Sequence, residues 1–381
     1  MEVELGLGKK ARRGYGFNEL AIVPSRRTRD GDDVDISWTL GPYRFELPLL
    51  GAALDGLVSP ATAGLIGKLG GLAVLNLEGI QTRYEDADRV LAEIAALPDE
   101  GITTRLQEIY REPVKPELVA QRIREVKEQG VVAAASLTPQ KVRRYYELAL
   151  EAGLDILVIQ GSVVSAEHVS RDHDRPPLNL KEFIRELAPI PVVVGGCASY
   201  HTALHLMRSG AAGVLAGVGP GTTCTTGEVL GVGVPQATAV ADVAAARLQH
   251  MLETGEYVRV IADGGMRNGG DIAKAIACGA DAVMLGSALA RASEAPGRGY
   301  NWAATAYHPT LPCGTRIVTG GGGTMEEIIK GPAHSNDGGF NLMGALRASM
   351  ATCGYRDIAE FNRAELMIAP ALHAPERHPH V

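Results

Sequence analysis

Residues 211–227 read AAGVLAGVGPGTTCTTG. Within them Gly213–Ala216 is a short apolar run with the length and composition of a buried strand. The run breaks at once into Gly217, Gly219, Pro220 and Gly221, and the loop ends on Cys224 among Thr222, Thr223, Thr225 and Thr226. Glycines let a backbone take positive φ and come close to a ligand, and successive N–H groups in such a turn form an anion-binding concavity. A lone thiol at its rim is a candidate nucleophile. Taken alone, the stretch is more simply a connector with an inert cysteine. The rest of the chain changes that weighing.

Similar apolar or β-branched runs recur at 48–54, 72–77, 131–137, 155–161, 191–197, 258–265 and 282–289. Most are separated by segments with helical periodicity, at 60–69, 84–97, 104–111, 116–129, 139–152, 180–187, 200–209, 235–252 and 270–278. Alternating strands and helices imply a parallel sheet. Eight strands at this length favour a (β/α)8 TIM barrel over an open doubly wound sheet, and residues that end the runs then stand at the carboxyl ends, where barrel active sites lie. Residues 338–353 supply the eighth helix. The chain reads as one barrel domain over 1–381, with an N-terminal extension (1–47) carrying short hairpins and a tail at 370–381. A Gly/Pro-rich segment at 291–337, including Gly320–Gly323, follows the last strand and reads as a mobile flap over the barrel mouth.

Hydrophobic residues make up 46% of the 381 and charged residues 21%, enough for a sizeable core. The formal net charge is −7, and the small basic cluster Lys9, Lys10, Arg12 and Arg13 reads as a solvated arm, so nucleic acid is not an expected partner. Five widely spaced cysteines (Cys197, Cys224, Cys278, Cys313, Cys353) without a CxxC pair argue against a disulfide framework or zinc site and for a reducing, cytoplasmic compartment. No apolar signal core or bilayer-length run is present. His373, His378 and His380 stand among prolines at the end of the chain and read as a frayed tail rather than a metal site.

Two further strand ends carry chemistry. One reads Ala262-Asp263-Gly264-Gly265, the other Leu285-Gly286-Ser287. With Gly219, Gly221 and Thr222 they make a phosphate cradle of the kind barrels build after strands seven and eight. The short carboxylate of Asp263 suits a pair of ribose hydroxyls, although capping the next helix is the simpler role for a lone aspartate there. Cys224 is then a nucleophile one strand away from a bound nucleoside monophosphate.

The stretches GVGPGTTCTTGEVLGVGVPQATAV (217–240), VIADGGMRNGGDIAKAIACGADAVMLGSAL (260–289) and LMGALRASMATCGY (342–355) resemble the IMP dehydrogenase/GMP reductase family, as do GYGFNELAIVPSR (14–26) and PLLGAALDGLVSP (48–60). The resemblance implies a (β/α)8 barrel, a homotetramer or octamer, that acts on GMP or IMP with a nicotinamide cofactor. It implies that Cys224 attacks purine C2, that Thr222, Gly265, Gly286 and Ser287 hold the 5′-phosphate, that Asp263 takes the ribose, and that Gly264 also contacts the nucleotide. Ala52 and Leu54 would line the base site, and Gln160, Gly161 and Ser162 would meet the cofactor. Carbonyls of Gly219, Gly221 and Cys224 match positions that bind a monovalent cation such as K+.

The family's two reactions share a covalent purine–cysteine intermediate. Dehydrogenases pass hydride to NAD and hydrolyse the adduct with a flap Arg-Tyr pair; reductases expel ammonia and take hydride from NADPH, using a Thr–Glu pair. Here Thr226 matches the threonine and Glu294 the reductase glutamate, and the two could relay a proton. The flap has no Arg-Tyr dipeptide, Gly227 replaces a frequent arginine, and residues 98–130 are too few for the paired regulatory CBS module. Gly286-Ser287 is the dehydrogenase-like feature. The pattern is similar to the IMP dehydrogenase-related branch lacking that module. The expectation is NADPH-dependent reductive deamination of GMP to IMP. NAD-dependent oxidation of IMP to XMP is the alternative, and a catalytically silent nucleotide-binding paralogue the third. Trp302, Tyr307 and His308 on the flap are expected either to stack on a base or nicotinamide ring or to form a hydrophobic patch.

Overall fold

Eight short parallel strands close on themselves: β1 (Leu49–Gly51), β2 (Leu72–Asn76), β3 (Ala134–Leu137), β4 (Ile156–Gln160), β5 (Val192–Cys197), β6 (Gly213–Ala216), β7 (Arg259–Asp263) and β8 (Ala282–Leu285). The computed structural model describes residues 2–165, 177–303, 310 and 314–369. Strands neighbour one another in chain order, and Val283–Leu285 of β8 pairs in parallel with Leu49–Gly51 of β1 to seal the ring. A parallel sheet wrapped by helices is buried on both faces, so its strands are apolar throughout rather than alternating. That is why Val192–Val194 and Val260–Ala262 read as uninterrupted runs; all are at most 1% exposed.

The helices start where their caps put them. Helix Pro60–Lys68 has proline in its first turn and a Ser59/Thr62 capping box. Helix Ala87–Ala96 begins after Asp86, whose carboxylate accepts from Arg89 N, so the expected start at 84 is early by about one turn. Helix Leu342–Thr352 begins four residues beyond the expected 338, because Asn341 turns into the left-handed region (φ 50°) and caps it through Gly344 N. This helix lies tight on helix Gly269–Ala277: a Cβ on Gly269 would fall 2.3 Å from Ala345 Cβ.

The two barrel ends are treated differently. The hairpin Trp38–Leu40/Tyr43–Phe45 lies against the strand starts, with Gly41 against Pro191, Leu40 against Gly213, and Thr39 Oγ1 accepting from Arg259 Nη2. Trp38 stacks on Phe45 and donates its indole N–H to Leu47 O, so this end is plugged. Two more pairings use the extension: Glu2–Gly6 with Lys9–Arg12, and Leu20–Ile22 with Leu366–Ile368. The basic arm is exposed, with Arg12 paired to Asp242 at 3.0 Å.

The opposite end is open and carries the flap. Tyr300–Asn301 pairs antiparallel with Ile317–Val318, and helix Met325–Ile329 follows. These arms are pinned. Trp302 is fully buried against helices Ala87–Ala96 and Ile102–Ile109, with Ile80, Leu91, Ile94, Leu106 and Ile109 around it. Its indole donates to Tyr110 Oη at 2.8 Å. The guanidinium of Arg316 lies 4.3 Å over Tyr300 and caps helix carbonyls at Ile94 and Leu97. The expected stacking of Trp302 on a ligand ring is therefore corrected: the excursion between β2 and β3 provides an apolar slot, and burying an indole there outweighs presenting it to solvent. Tyr307, His308, Cys313, the histidine-bearing loop at 167–174 and the tail histidines lie outside the described residues. Among the described residues no helix is long and apolar enough to cross a membrane.

Candidate active site

The loops after the strands converge on one cavity of about 400 Å³ at the open end, within the range of small-molecule sites. It gathers Ala52 and Leu54 after β1, Asn76 and Glu78 at β2, Ser136 and Thr138 at β3, and Gln160, Gly161 and Ser162 at β4. From the other side of the ring come Gly219–Cys224 after β6, Asp263–Gly265 at β7 and Gly286–Ser287 at β8. Every nucleotide- and cofactor-contacting residue expected from the sequence lines this one space, as do Gly219, Gly221 and Cys224.

The cradle is made by three turns in contact. Gly264 and Gly265 both take positive φ (81° and 78°), and a Cβ on Gly264 would sit 3.1 Å from Gly221 N. Among the described residues the N–H groups of Thr222 and Gly265 have no protein acceptor. Thr222 Oγ1 and Ser287 Oγ share a hydrogen bond of 2.7 Å across the β6 and β8 loops. A Cβ on Gly286 would sit 2.9 Å from Leu54 Cδ1, so a side chain there would displace the end of Leu54. Hydroxyls and free N–H groups converging on one point suit an anion.

Asp263 accepts from Gln160 Nε2 at 3.1 Å, so β4 and β7 are tied across the mouth. Burial pushes its carboxyl up to about 6, against the lowering effect of the Gln160 bond. Gln160, expected at the cofactor, lines the cavity and orients the Asp263 carboxylate. Gln236 works from beneath: buried, it donates to Ala216 O at 2.8 Å and Asp263 O at 3.0 Å, joining the ends of β6 and β7.

Cys224 is partly exposed in the cavity wall, and its Sγ lies 2.9 Å from Thr226 Oγ1. The other described thiols are sealed: burial pushes Cys197 and Cys278 up to about 12 and also raises Cys353. Cys224 is the one described thiol that reaches the cavity. The flap closes over its loop, with Gly314 bridged to Cys224 and Thr315 N donating to Thr223 O at 3.2 Å.

Glu294 is a correction. Its carboxylate accepts from Met325 N at 3.0 and 3.2 Å and from Ser293 Oγ at 2.9 Å, and it does not line the cavity. The free N–H of a helix start captures a nearby carboxylate, and that captures Glu294 for the flap rather than for Thr226. The Gly221 carbonyl, one of three expected cation ligands, already accepts from Cys224 N at 3.0 Å.

Several site residues had escaped the sequence reading. Glu78 is buried, ion-paired to Lys141 at 2.8 Å and accepting from Thr138 N at 2.6 Å. Asn76 and Ser136 stand at strand ends, a position that could have flagged them. Arg291 reaches the rim but is held by Gly339 O and by the ring of Phe340, 4.6 Å away.

Comparison with known proteins agrees with this geometry. The family model for the IMP dehydrogenase/GMP reductase domain matches residues 14–315. An uncharacterized oxidoreductase of Mycobacterium tuberculosis is 48% identical over 96% of this chain and 99% of its own. An inosine-5′-monophosphate dehydrogenase of Methanocaldococcus jannaschii is 28% identical over 97% of this chain and 96% of its own. The crystal structure of an IMP dehydrogenase/GMP reductase-like protein from Corynebacterium glutamicum superposes with a TM-score of 0.91 at 44% identity, covering 96% of this chain and 97% of that one. The chain belongs to the IMP dehydrogenase/GMP reductase family, as an oxidoreductase built on a (β/α)8 barrel.

Proposed function

We propose that the protein catalyses NADPH-dependent reductive deamination of GMP to IMP through a covalent adduct at Cys224. The observation that carries this is the Cys224–Thr226 pair, 2.9 Å apart beside an anion cradle and a ribose-facing carboxylate. The 5′-phosphate is assigned to Thr222, Gly265, Gly286 and Ser287, the ribose to Asp263, and the base to Ala52 and Leu54, which together line one cavity.

Cys224, as thiolate, adds to C2 of GMP. The C2–N bond then breaks, and the amino group leaves as ammonia with a proton. Thr226 Oγ1, bonded to Sγ, accepts the thiol proton and passes its own toward the departing amine. When C2 has received hydride, the C–S bond breaks with its electron pair returning to sulfur, so IMP leaves and the thiolate is restored. Overall, GMP, NADPH and two protons give IMP, NADP+ and ammonium. The polar lining of Asn76, Ser136, Thr138, Gly161 and Ser162, opposite the cradle, has the donors and acceptors that suit a nicotinamide carboxamide and ribose. A reduced nicotinamide there would supply the hydride. A monovalent cation would rest on carbonyls alone, chiefly those of Gly219 and Cys224, with Gly221 O already engaged.

The deaminating sense is preferred because hydrolysis of the adduct needs a water-activating group. Among the described lining residues there is no tyrosine, histidine or lysine; of the two arginines there, Arg291 is committed to Gly339 and Phe340, and Arg267 is exposed to solvent. Oxidation of IMP is the second reading, favoured by the engagement of Glu294 with Met325 N, which leaves amine departure without a carboxylate partner. Purified protein supplied with GMP and NADPH should consume the reduced cofactor and release ammonia in equal amounts. NADH production from IMP, with no turnover of GMP, assigns the opposite sense. Nucleotide binding without either reaction assigns a silent paralogue. Cys224→Ala is expected to abolish turnover in either sense.

A further inference from the structure

Asn301 is a fully buried amide on the flap arm, 14 residues beyond Ser287 of the cradle. Its backbone is fixed on both sides. Tyr300 N donates to Gly297 O, and Asn301 pairs with Ile317 in the flap ladder. The next residue, Trp302, is locked into the slot between the two excursion helices through Tyr110. From this position Asn301 Nδ2 donates to Ser287 Oγ at 3.1 Å, and Ser287 Oγ in turn lies 2.7 Å from Thr222 Oγ1. The other amide atom, Oδ1, is buried without a partner. An orphaned buried acceptor costs free energy, so the orientation of this side chain is held by what Nδ2 does.

We infer that Asn301 is a positioning residue for the 5′-phosphate, acting through Ser287. A serine hydroxyl has one proton and can both donate and accept. A phosphate dianion only accepts. Asn301 gives Ser287 its inner donor, so the one Ser287 proton turns outward, to Thr222 when the cradle holds no anion and to phosphate when it does. Accepting from the amide also polarises the Ser287 O–H and strengthens its outward bond. The flap thereby completes a cradle whose other parts come from the barrel, and docking of Trp302 delivers the residue that orients it. This deepens the proposed assignment of the cradle to a nucleotide phosphate and rests on it.

The test reads the ratio of GMP affinity to guanosine affinity, by competition or calorimetry, in the wild type and in Asn301→Leu and Asn301→Asp. The aspartate is isosteric and covers the case in which leucine prevents folding. The wild type should favour GMP strongly over guanosine; equal binding of the two overturns the phosphate-cradle assignment itself, whatever the variants do. Given that preference, the variants should lower the ratio about tenfold while guanosine affinity stays within about twofold, the loss expected for one hydrogen bond. In a Ser287→Ala background, Asn301→Leu should cause little further loss, because both act on one bond. An unchanged ratio, including a parallel loss of both affinities, overturns the inference, as does full additivity of the two substitutions.

Discussion

Asp263 and Asp55 are two aspartates whose carboxyls burial pushes up to about 6, yet they serve regions of opposite character. Asp263 stands at the end of β7 with its carboxylate toward the cavity, and one side-chain donor, Gln160, fixes it. Asp55 is sealed. Tyr110 Oη donates to it at 2.5 Å, the backbone at Ile80 and the Arg83 charge also favour its ionised form, and Oδ1 has no partner. Through Tyr110 it reaches Trp302 and so anchors the flap. A raised carboxyl marks a function only where a ligand can reach it; the same shift in a closed pocket marks a joint between elements.

Substitution should separate the two. The largest effect belongs to Asp263→Asn, which would remove the charge-assisted bonds proposed to the ribose. It is expected to lower kcat/KM by about 100-fold or more, while Asp55→Asn stays within about threefold of wild type in steady-state assays. Comparable losses in both would erase the distinction. Guanosine, which has no phosphate to titrate, sharpens it further. Wild-type affinity for guanosine should weaken as pH falls through about 6, where Asp263 takes up its proton. Asp263→Asn should show a flat profile, and Asp55→Asn the wild-type one.

Trp302→Ala comes next. Emptying a fully buried indole site should cost about 3 kcal/mol or more in denaturant unfolding. Because this site is the flap anchor, limited proteolysis should cut between residues 300 and 320 sooner than in wild type. Unaltered stability and cleavage would mean that the flap is held elsewhere.

The pH dependence of stability is smaller. An aspartate has a value of roughly 4 in the unfolded chain and about 6 here, so the folded state binds the proton more tightly. The contribution of Asp55 to stability is therefore greatest below about pH 4, declines as pH rises through 6, and is level above that. Asp55→Asn, which stays neutral, should gain up to roughly 2.7 kcal/mol over wild type at pH 8 relative to pH 4. A difference of the opposite sign would show that Arg83 and Tyr110 outweigh burial. The smallest effect is expected for Arg316→Lys, about 1 kcal/mol, since a lysine cannot match the planar fork whose Nη1 meets the carbonyls of Ile94 and Leu97 while Nη2 meets Asp99.

The same pair shows what a sequence makes legible. Asp263 could be found because it ends a β-branched run and opens two glycines, so strand, turn and chemistry are encoded within a few residues. The eight strands and the Cys224 loop were legible for the same reason. Asp55 follows a strand too, but its role comes from Tyr110, 55 residues on, and from Trp302, 192 residues beyond that. Nothing local to any of the three announces the chain they form. Asn301 and Gln236 escaped likewise, because each acts by reaching an atom of another loop. Glu294 shows the converse. Its place after β8 suited a relay, but the helix start at Met325, 31 positions further along the chain, folds back and claims it.

The central claim is covalent chemistry at Cys224, and intact-peptide mass spectrometry tests it most directly. Protein mixed with GMP in the absence of reduced cofactor, quenched in acid and digested, should carry on the Cys224 peptide the mass of GMP less ammonia. The adduct should vanish when NADPH is added before the quench, with IMP appearing in its place. An unmodified Cys224 peptide from protein saturated with GMP, together with an adduct formed from IMP and NAD, would contradict the proposed sense; no adduct under either condition would contradict covalent catalysis altogether.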